Sequence, residues 1–238
     1  MTDTLIPHIL ALDTAQEDCG AAILLADGSL FMHVEHVGSR HSERLLPMVR
    51  DLIHEAGIEK TDLGLIAFGE GPGSFTGLRV ACGAAQGLAW ALEVPVAQVS
   101  NLEALAEWLR ETHLEAVRPG TRIAVLNDAR MHECYTGTFE RAEENAAPIE
   151  VRAPELVKPE MLTHYLEEIG VDAVAGTALS AYPDEICIPE GIRLIETEQV
   201  NAEDIVRLAA VMYAHGQTVD PHLAAPLYVR NRVALTIE

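Results

Sequence analysis

The 238-residue chain is poor in basic residues, and above all in lysine. It has 16 lysine and arginine residues against 37 aspartate and glutamate residues, so its formal net charge is −21. The two lysines, Lys60 and Lys158, are far apart, and the arginines form no cluster. A protein that grips nucleic acid through its own surface needs clustered basic side chains to neutralise phosphates. The composition therefore argues against direct nucleic-acid binding and favours basic partner surfaces.

The sequence also lacks long apolar runs and closely spaced cysteines. No stretch approaches the roughly 18 apolar residues that cross a bilayer. No charged segment followed by an apolar one precedes the first predicted strand, so we expect neither a membrane association nor a secretory signal. The cysteines have no metal-ligand or redox spacing, and we predict four small buried residues in a cytoplasmic protein: Cys19, Cys82, Cys134 and Cys187.

What the chain does have is an alternation of strands and helices that recurs after residue 120. The first half predicts strands at 6–14, 19–25, 30–37, 63–68 and 94–99, and helices at 42–57, 77–92 and 100–113. The second half predicts strands at 122–127, 134–139 and 171–175, a polar loop at 140–150, and helices after Pro159 and from 201 to 215.

Arg118-Pro119-Gly120 marks a linker, which predicts domains 1–117 and 118–238. We expect the C-terminal helix and tail to pack back on the first domain. The pattern indicates a duplicated α/β fold.

The most distinctive stretch is the glycine-rich loop from Gly69 to Arg79. Its four glycines permit positive φ angles and close backbone approach. The loop leads into a helix whose first N–H groups are unpaired donors, which is a natural place for a phosphate. The residues we predict to lie near such a phosphate or nucleotide are Gly71, Gly73, Ser74, Thr76, Gly77 and Arg79. The alternative, a tight strand-to-helix turn without a ligand, stays open because such turns are common.

Three better-known catalytic loops fail on spacing. A Walker A loop requires a lysine directly after its last glycine, but no lysine follows Gly77. Thr76 stands where the third glycine of a dinucleotide fingerprint would be. Ser74 has Pro72 and Thr76 two residues to either side, whereas a nucleophile elbow has glycines there.

The nine residues Gly71-Pro72-Gly73-Ser74-Phe75-Thr76-Gly77-Leu78-Arg79 resemble the signature of the TsaB family, formerly YeaZ. Supporting matches follow in order along nearly the whole chain: Ile9 to Ala15, His41 to Pro47, Asp128 to Met131, and Tyr228 to Asn231. The sequence departs from the family pattern at His132-Glu133-Cys134-Tyr135, where we expect a glycine and then a valine. That departure puts the local turn after Met131 in question.

The resemblance implies two subdomains of the actin, Hsp70 and sugar-kinase (ASKHA) type, without catalytic activity. It implies a subunit needed for threonylcarbamoyl transfer to adenosine of ANN-decoding tRNAs, working with a catalytic TsaD-like subunit and a TsaE-like ATPase. The tRNA would be held only through the complex, and the chain alone would form a homodimer. It implies no cofactor of the chain's own, although ATP or ADP could bind at a shared interface.

We expect neither a catalytic residue nor a metal site. Asp13, Asp128 and Arg130 end predicted strands, where structural roles are common. The turn after Asp13 holds Glu17 and Asp18, whose charges would repel a polyphosphate. No paired-histidine motif occurs in the sequence. The competing interpretation is a stand-alone enzyme of the same fold, either an ATP-dependent kinase or a glycoprotease-type hydrolase.

A partner surface is predicted on the helices that begin near Ser42 and Gly77. These two helices carry more apolar positions than one sheet face can cover. The predicted interface residues are His41, Leu45, Leu46, Val49, Leu52, Ile53, Gly83 and Gly87. Gly83 and Gly87 would let a second helix approach closely, and a Val49→Glu substitution would break the association.

Overall fold

A computed structural model describes residues 6–113, 115, 117–141, 147–197 and 200–230. Asn231 of the C-terminal motif and residues 142–146 of the expected polar loop lie outside the described residues. Within the described ranges, no helix is both long enough and apolar enough to cross a membrane.

The first sheet has five strands in the order β3-β2-β1-β4-β5. They are β1 (His8–Asp13), β2 (Asp18–Leu24), β3 (Leu30–His36), β4 (Leu63–Gly71) and β5 (Val96–Ser100). Strands β1, β2 and β3 form an antiparallel meander, whereas β4 runs parallel to both β1 and β5. The predicted strands of the first half are confirmed to within a few residues.

The second sheet repeats this plan, in the order β10-β9-β6-β7-β8. Its strands are β6 (Arg122–Asp128), β7 (Cys134–Glu140), β8 (Ile149–Val157), β9 (Ala173–Ala175) and β10 (Arg193–Ile195). Again the first three strands form an antiparallel meander. Strand β9 pairs in parallel with β6, and β10 pairs in parallel with β9. Two sheets with one topology confirm the duplicated α/β fold. Strands β8 and β10 were not predicted.

The helices are α1 (His41–Glu55), α2 (Phe75–Leu92), α3 (Asn101–Thr112), α4 (Leu162–Ile169), α5 (Ala178–Ala181) and α6 (Ala202–Ala214). Short 3₁₀ turns lie at Lys60–Asp62, Pro159–Met161 and Pro221–Leu223. The predicted Asn201 cap is present, and its side chain accepts the backbone N–H of Glu203 at 2.7 Å. Asn201 and Asp204 complete a capping box, so the start of α6 is fixed locally.

The chain forms two compact units. The first contains Met1–Ala104 and Val200–Pro226, and the second contains Leu105–Gln199 and Leu227–Glu238. The expected boundary at residue 118 therefore lies inside the second unit, and α6 is part of the first.

In the first unit both faces of the sheet are covered. Cys19 and Ala21 of β2 join the core beneath α1 and α2, whereas Gly20 between them faces Ala202 of α6. Residues of a strand alternate between faces, so a sheet covered on both sides has no solvent-facing positions in its central strands. This explains why β1 and β2 are apolar and buried over nearly their whole length.

In the second unit, α4 and α5 pack on the sheet through an aliphatic core that includes Leu126, Cys134, Leu166 and Val174. Three of the four cysteines are buried, as predicted, but Cys187 is exposed. The prediction for Cys187 is wrong because the residue lies on the segment between α5 and β10, outside any packed strand or helix.

Candidate functional site

The glycine-rich loop packs against the turn that joins β1 to β2. The Ser74 N–H donates to the Ala15 carbonyl oxygen at 2.7 Å, and the Thr14 hydroxyl donates to the Gly77 carbonyl oxygen at 2.7 Å. A Cβ on Gly73 would lie 2.6 Å from the Ala15 oxygen, and one on Gly77 would overlap the Thr14 carbonyl oxygen. These glycines are therefore needed for contact between two segments of the same chain.

A buried Asp13–Asn101 pair holds the beginning of the loop. The Asn101 amide nitrogen donates to Asp13 Oδ1 at 3.2 Å, and its oxygen accepts the Gly71 N–H at 2.9 Å. Asp13 Oδ1 also accepts the Ala15 N–H at 3.0 Å. A Cβ on Gly69 would lie 2.7 Å from the same carboxylate oxygen, so a third glycine is explained by packing.

Asp13 is fully enclosed, and its burial raises the pKa of its carboxyl group to about 6, against the hydrogen bonds that lower it. The carboxyl group of Asp13 accepts its hydrogen bonds from the turn that follows it and from Asn101. This arrangement agrees with the structural role predicted for Asp13. Sequence reasoning missed Asn101, which it placed only in a helix start, and Thr14.

The accessible part of the loop is its passage into α2. Gly71 and Gly77 are buried and Gly73 is half-buried, whereas Ser74, Thr76 and Arg79 are exposed. Ser74 caps α2, because its hydroxyl oxygen accepts the Gly77 N–H at 3.3 Å. The Arg79 guanidinium carbon lies 3.7 Å from the centre of the Phe75 ring, which is a cation–π contact. An anion at this helix N-terminus, which stays a prediction, would therefore meet Ser74, Thr76 and Arg79.

The predicted partner surface is wrong for four residues. His41, Leu45, Val49 and Leu52 are at most 7% exposed, and the three apolar residues belong to the core of the first unit. The reason is that α1 has one apolar face, and this face is fully used to cover the sheet. Val49→Glu would consequently disrupt the fold and cannot test an interface.

The other predicted residues remain accessible. Leu46 is 52% exposed, and Ile53 is half-buried. Gly83 and Gly87 are exposed, and nothing lies within 4 Å of a Cβ built on either. Both glycines therefore leave the backbone of α2 open to an approaching chain.

These glycines belong to a longer exposed row on α2. We call it the α2 stripe, and its residues are Phe75, Arg79, Gly83, Gly87 and Trp90. Their spacing of four, four, four and three places them along one side of the helix. Trp90 is 69% exposed, so the row has an aromatic ring at each end and bare backbone in the middle. A tryptophan in a helix rich in alanine and glycine was the sequence signal for Trp90, and it was missed.

In the second unit, Asp128 supports the turn between β6 and β7. Its Oδ1 accepts the Arg130 N–H at 2.8 Å and the Tyr182 hydroxyl at 2.9 Å. Burial, and then the hydrogen bond to Asp128, raises the pKa of Tyr182 to about 12. Asp128 and the Arg130 backbone thus stabilise this turn.

Arg230 joins two of the sequence motifs. Its guanidinium donates to the carbonyl oxygens of Ala129 and Arg130 at 3.1 and 3.2 Å, and to the Glu133 carboxylate at 2.5 Å. The side chain is only 14% exposed. The C-terminal motif therefore holds the β6–β7 turn in place, a role that the sequence did not indicate.

Comparisons with known proteins agree with this description. The family model described as TsaD, tRNA N6-adenosine threonylcarbamoyltransferase, matches residues 33–186. The tRNA threonylcarbamoyladenosine biosynthesis protein TsaB of Escherichia coli K12 is 37% identical over 95% of this chain and 96% of its own length. The protein of the same name from Haemophilus influenzae is 31% identical over 94% of each chain.

Solved structures give the same result. A Pseudomonas aeruginosa protein described as similar to the peptidase YeaZ matches with a TM-score of 0.82 and 36% identity, over 94% of this chain and all of the other. YeaZ from Pseudomonas aeruginosa matches with a TM-score of 0.80 and 34% identity, over 93% of this chain and 99% of the other. Full-length likeness in both sequence and structure shows that the chain belongs to the TsaB family, also called YeaZ.

Proposed function

We propose that this chain takes part in tRNA threonylcarbamoyladenosine biosynthesis as a non-catalytic subunit. It binds and supports a TsaD-like subunit, which transfers threonylcarbamoyl to adenosine of ANN-decoding tRNAs. The observation that carries the proposal is the 37% identity to the Escherichia coli TsaB protein over nearly the full length of both chains.

The loop chemistry supports a non-catalytic role. In a phosphate-binding loop, glycines leave room for the ligand. Here the spaces at Gly69, Gly73 and Gly77 are filled by Asp13, Ala15 and Thr14 of the same chain. The Ser74 hydroxyl, which a glycoprotease mechanism would need as a nucleophile, accepts a hydrogen bond as the cap of α2.

The net negative charge of the chain supports a complex in which different subunits bind different molecules. A net charge of −21 disfavours phosphate backbones, so the tRNA is held by another subunit in the cytoplasm. An ATP or ADP molecule, if bound, lies at a shared interface that includes Ser74, Thr76 and Arg79. A TsaE-like ATPase completes the assembly.

The partner surface consists of the α2 stripe and the exposed side of α1 around Leu46. The bare backbone at Gly83 and Gly87 allows a partner helix to pack closely, and Trp90 and Phe75 supply the apolar ends. The chain alone forms a homodimer through the same surface, because related domains offer related helix pairs. The homodimer and the TsaD-like pairing therefore compete.

Reconstitution separates this proposal from the alternatives, a kinase or a glycoprotease. The purified chain alone should hydrolyse neither ATP nor peptides and should not shift tRNA in a gel at near-physiological salt. Added to a TsaD-like transferase, a TsaE-like ATPase and the threonylcarbamoyl donor, it should switch on tRNA modification. Modification at full rate without the chain would overturn the proposal. So would turnover by the chain alone that is lost in Ser74→Ala.

A further inference from the structure

Three side chains with atoms able to bind a metal ion meet on the surface of the second unit. His132 Nε2 lies 3.1 Å from Glu185 Oε2 and 3.5 Å from Glu160 Oε2. The three atoms all lie within 4.8 Å of one another, and the three residues are exposed. The sequence predicted no metal site, because these residues are separated along the chain and form no motif. We propose that His132, Glu160 and Glu185 form a site for one divalent transition-metal ion, such as Zn²⁺.

The backbone conformation and a ring contact fix the position of the His132 imidazole. His132 is the third of three consecutive residues with positive φ, at +59°, a conformation that L residues other than glycine seldom adopt. The edge of its ring packs against Tyr182, with centroids 5.5 Å apart and planes at 88°. Tyr182 is fixed in turn by its hydrogen bond to Asp128, and Arg230 holds the same turn. These contacts aim Nε2 at the two carboxylates.

The two carboxylates come from separate segments, Glu160 from the turn before α4 and Glu185 from the segment after α5. Their oxygens repel each other at this separation, and a cation between them relieves that repulsion. Lys158 does not fill this position, because its Nζ lies 4.0 Å from the other oxygen of Glu160, Oε1. A metal ion would thus link three segments of the second unit.

The donor set selects the kind of ion. One imidazole nitrogen with two carboxylate oxygens suits Zn²⁺, Co²⁺ or Ni²⁺, whereas Mg²⁺ and Ca²⁺ prefer oxygen ligands throughout. Three protein ligands leave a tetrahedral ion one further position, for water or for a group of another molecule.

A binding experiment on the full chain tests the proposal. The probe is ZnCl₂ in equilibrium dialysis, with excess Mg²⁺ present to occupy the many other carboxylates. We expect one equivalent of Zn²⁺ per chain and a visible absorption band when Co²⁺ replaces Zn²⁺. The variant is His132→Asn, since asparagine tolerates positive φ and the turn is preserved.

The chain provides a matched control in His36→Asn. His36 also lies between two carboxylates, but its Nδ1 faces Asp18 at 2.7 Å and its Nε2 faces Glu17 at 3.9 Å. Two ring nitrogens on opposite sides cannot bind one ion. We expect His132→Asn to weaken Zn²⁺ binding at least tenfold, Glu185→Gln to weaken it measurably, and His36→Asn to leave it unchanged. No saturable Zn²⁺ binding, or equal losses in His132→Asn and His36→Asn, would overturn the proposal.

Discussion

Gly77 and Thr14 are in such close contact that no side chain fits between them. The Thr14 hydroxyl donates to the Gly77 carbonyl oxygen at 2.7 Å, and a Cβ on Gly77 would overlap the Thr14 carbonyl oxygen. The signature loop of the family therefore packs within this chain, where it fixes the start of α2 against the β1–β2 turn. What the loop presents to other molecules is the first turn of α2 and the α2 stripe that follows.

This contact predicts opposite effects for two glycines of the same helix. Gly77→Ala should lower the free energy of unfolding by roughly 1–3 kcal/mol, because the backbone of Thr14 must move. Gly83→Ala is the matched control and should raise it by about 0.5–1 kcal/mol, because its site is open and alanine favours helix. Urea unfolding with an unchanged slope measures both. Equal effects of the two substitutions would contradict the packing role.

The buried Asp13 predicts a pH dependence of stability. Its pKa is about 6 in the folded chain and 3.8 ordinarily, so between these values the folded state holds a proton that the unfolded state has lost. Stability from this group is therefore complete below pH 4 and is lost as the pH rises through 6, by up to about 3 kcal/mol.

Asp13→Asn removes this titration while keeping an oxygen for the Ala15 and Asn101 donors. The stability of the variant relative to the natural chain should therefore increase as the pH rises from 4 to 7. Urea unfolding at four pH values measures the difference. A difference that stays flat, or that falls with rising pH, would show that Asp13 is not the titrating group.

Arg230 predicts a local effect in the second unit. Arg230→Ala removes the guanidinium that donates to the Glu133 carboxylate and to the Ala129 and Arg130 carbonyl oxygens, and of these two carbonyls the Arg130 oxygen keeps the Glu133 N–H as a donor. The loss should cost roughly 1.5–3 kcal/mol. Amide hydrogen exchange should become faster at Ala129 and Glu133, whose N–H groups bond within the turn.

Arg122→Ala serves as the control for Arg230→Ala. Arg122 pairs with Glu140 at 2.8 Å, but both side chains are substantially exposed, so the loss should stay below about 1 kcal/mol. If exchange at Ala129 and Glu133 is the same in both variants, Arg230 does not hold the turn.

Much of the fold could be predicted because the pattern is local. Strands β1, β2 and β4 are apolar runs bounded by turn residues, and the cap of α6 is visible in Asn201. Strand β8 could not be predicted, because Pro154 and several charges interrupt its segment. The strand is held by pairing with β7 at one edge. Strand β10 has three residues, too few for any periodicity.

The site was harder to predict because its decisive contacts join distant residues. Asn101 reads as a helix start, yet its side chain binds Asp13, 88 residues earlier. A glycine is required wherever a side chain would clash with a close neighbour, and that neighbour can be a ligand or another segment of the same chain. The sequence therefore could not distinguish the two cases. The apolar side of α1 was visible, but its spacing did not reveal that the sheet uses all of it.

The central claim, a partner surface on α1 and α2, is tested most directly by two exposed leucines. Leu46 lies on α1 and is 52% exposed, whereas Leu194 lies on β10 of the second unit and is 53% exposed. Leu46→Glu should weaken binding to the TsaD-like subunit at least tenfold, because an unpaired carboxylate is buried at the interface, and tRNA modification should fall with it. Leu194→Glu should leave both unchanged. Titration of the TsaD-like subunit with each folded variant decides the matter: full-strength binding by Leu46→Glu, or an equal loss in both variants, would contradict the account.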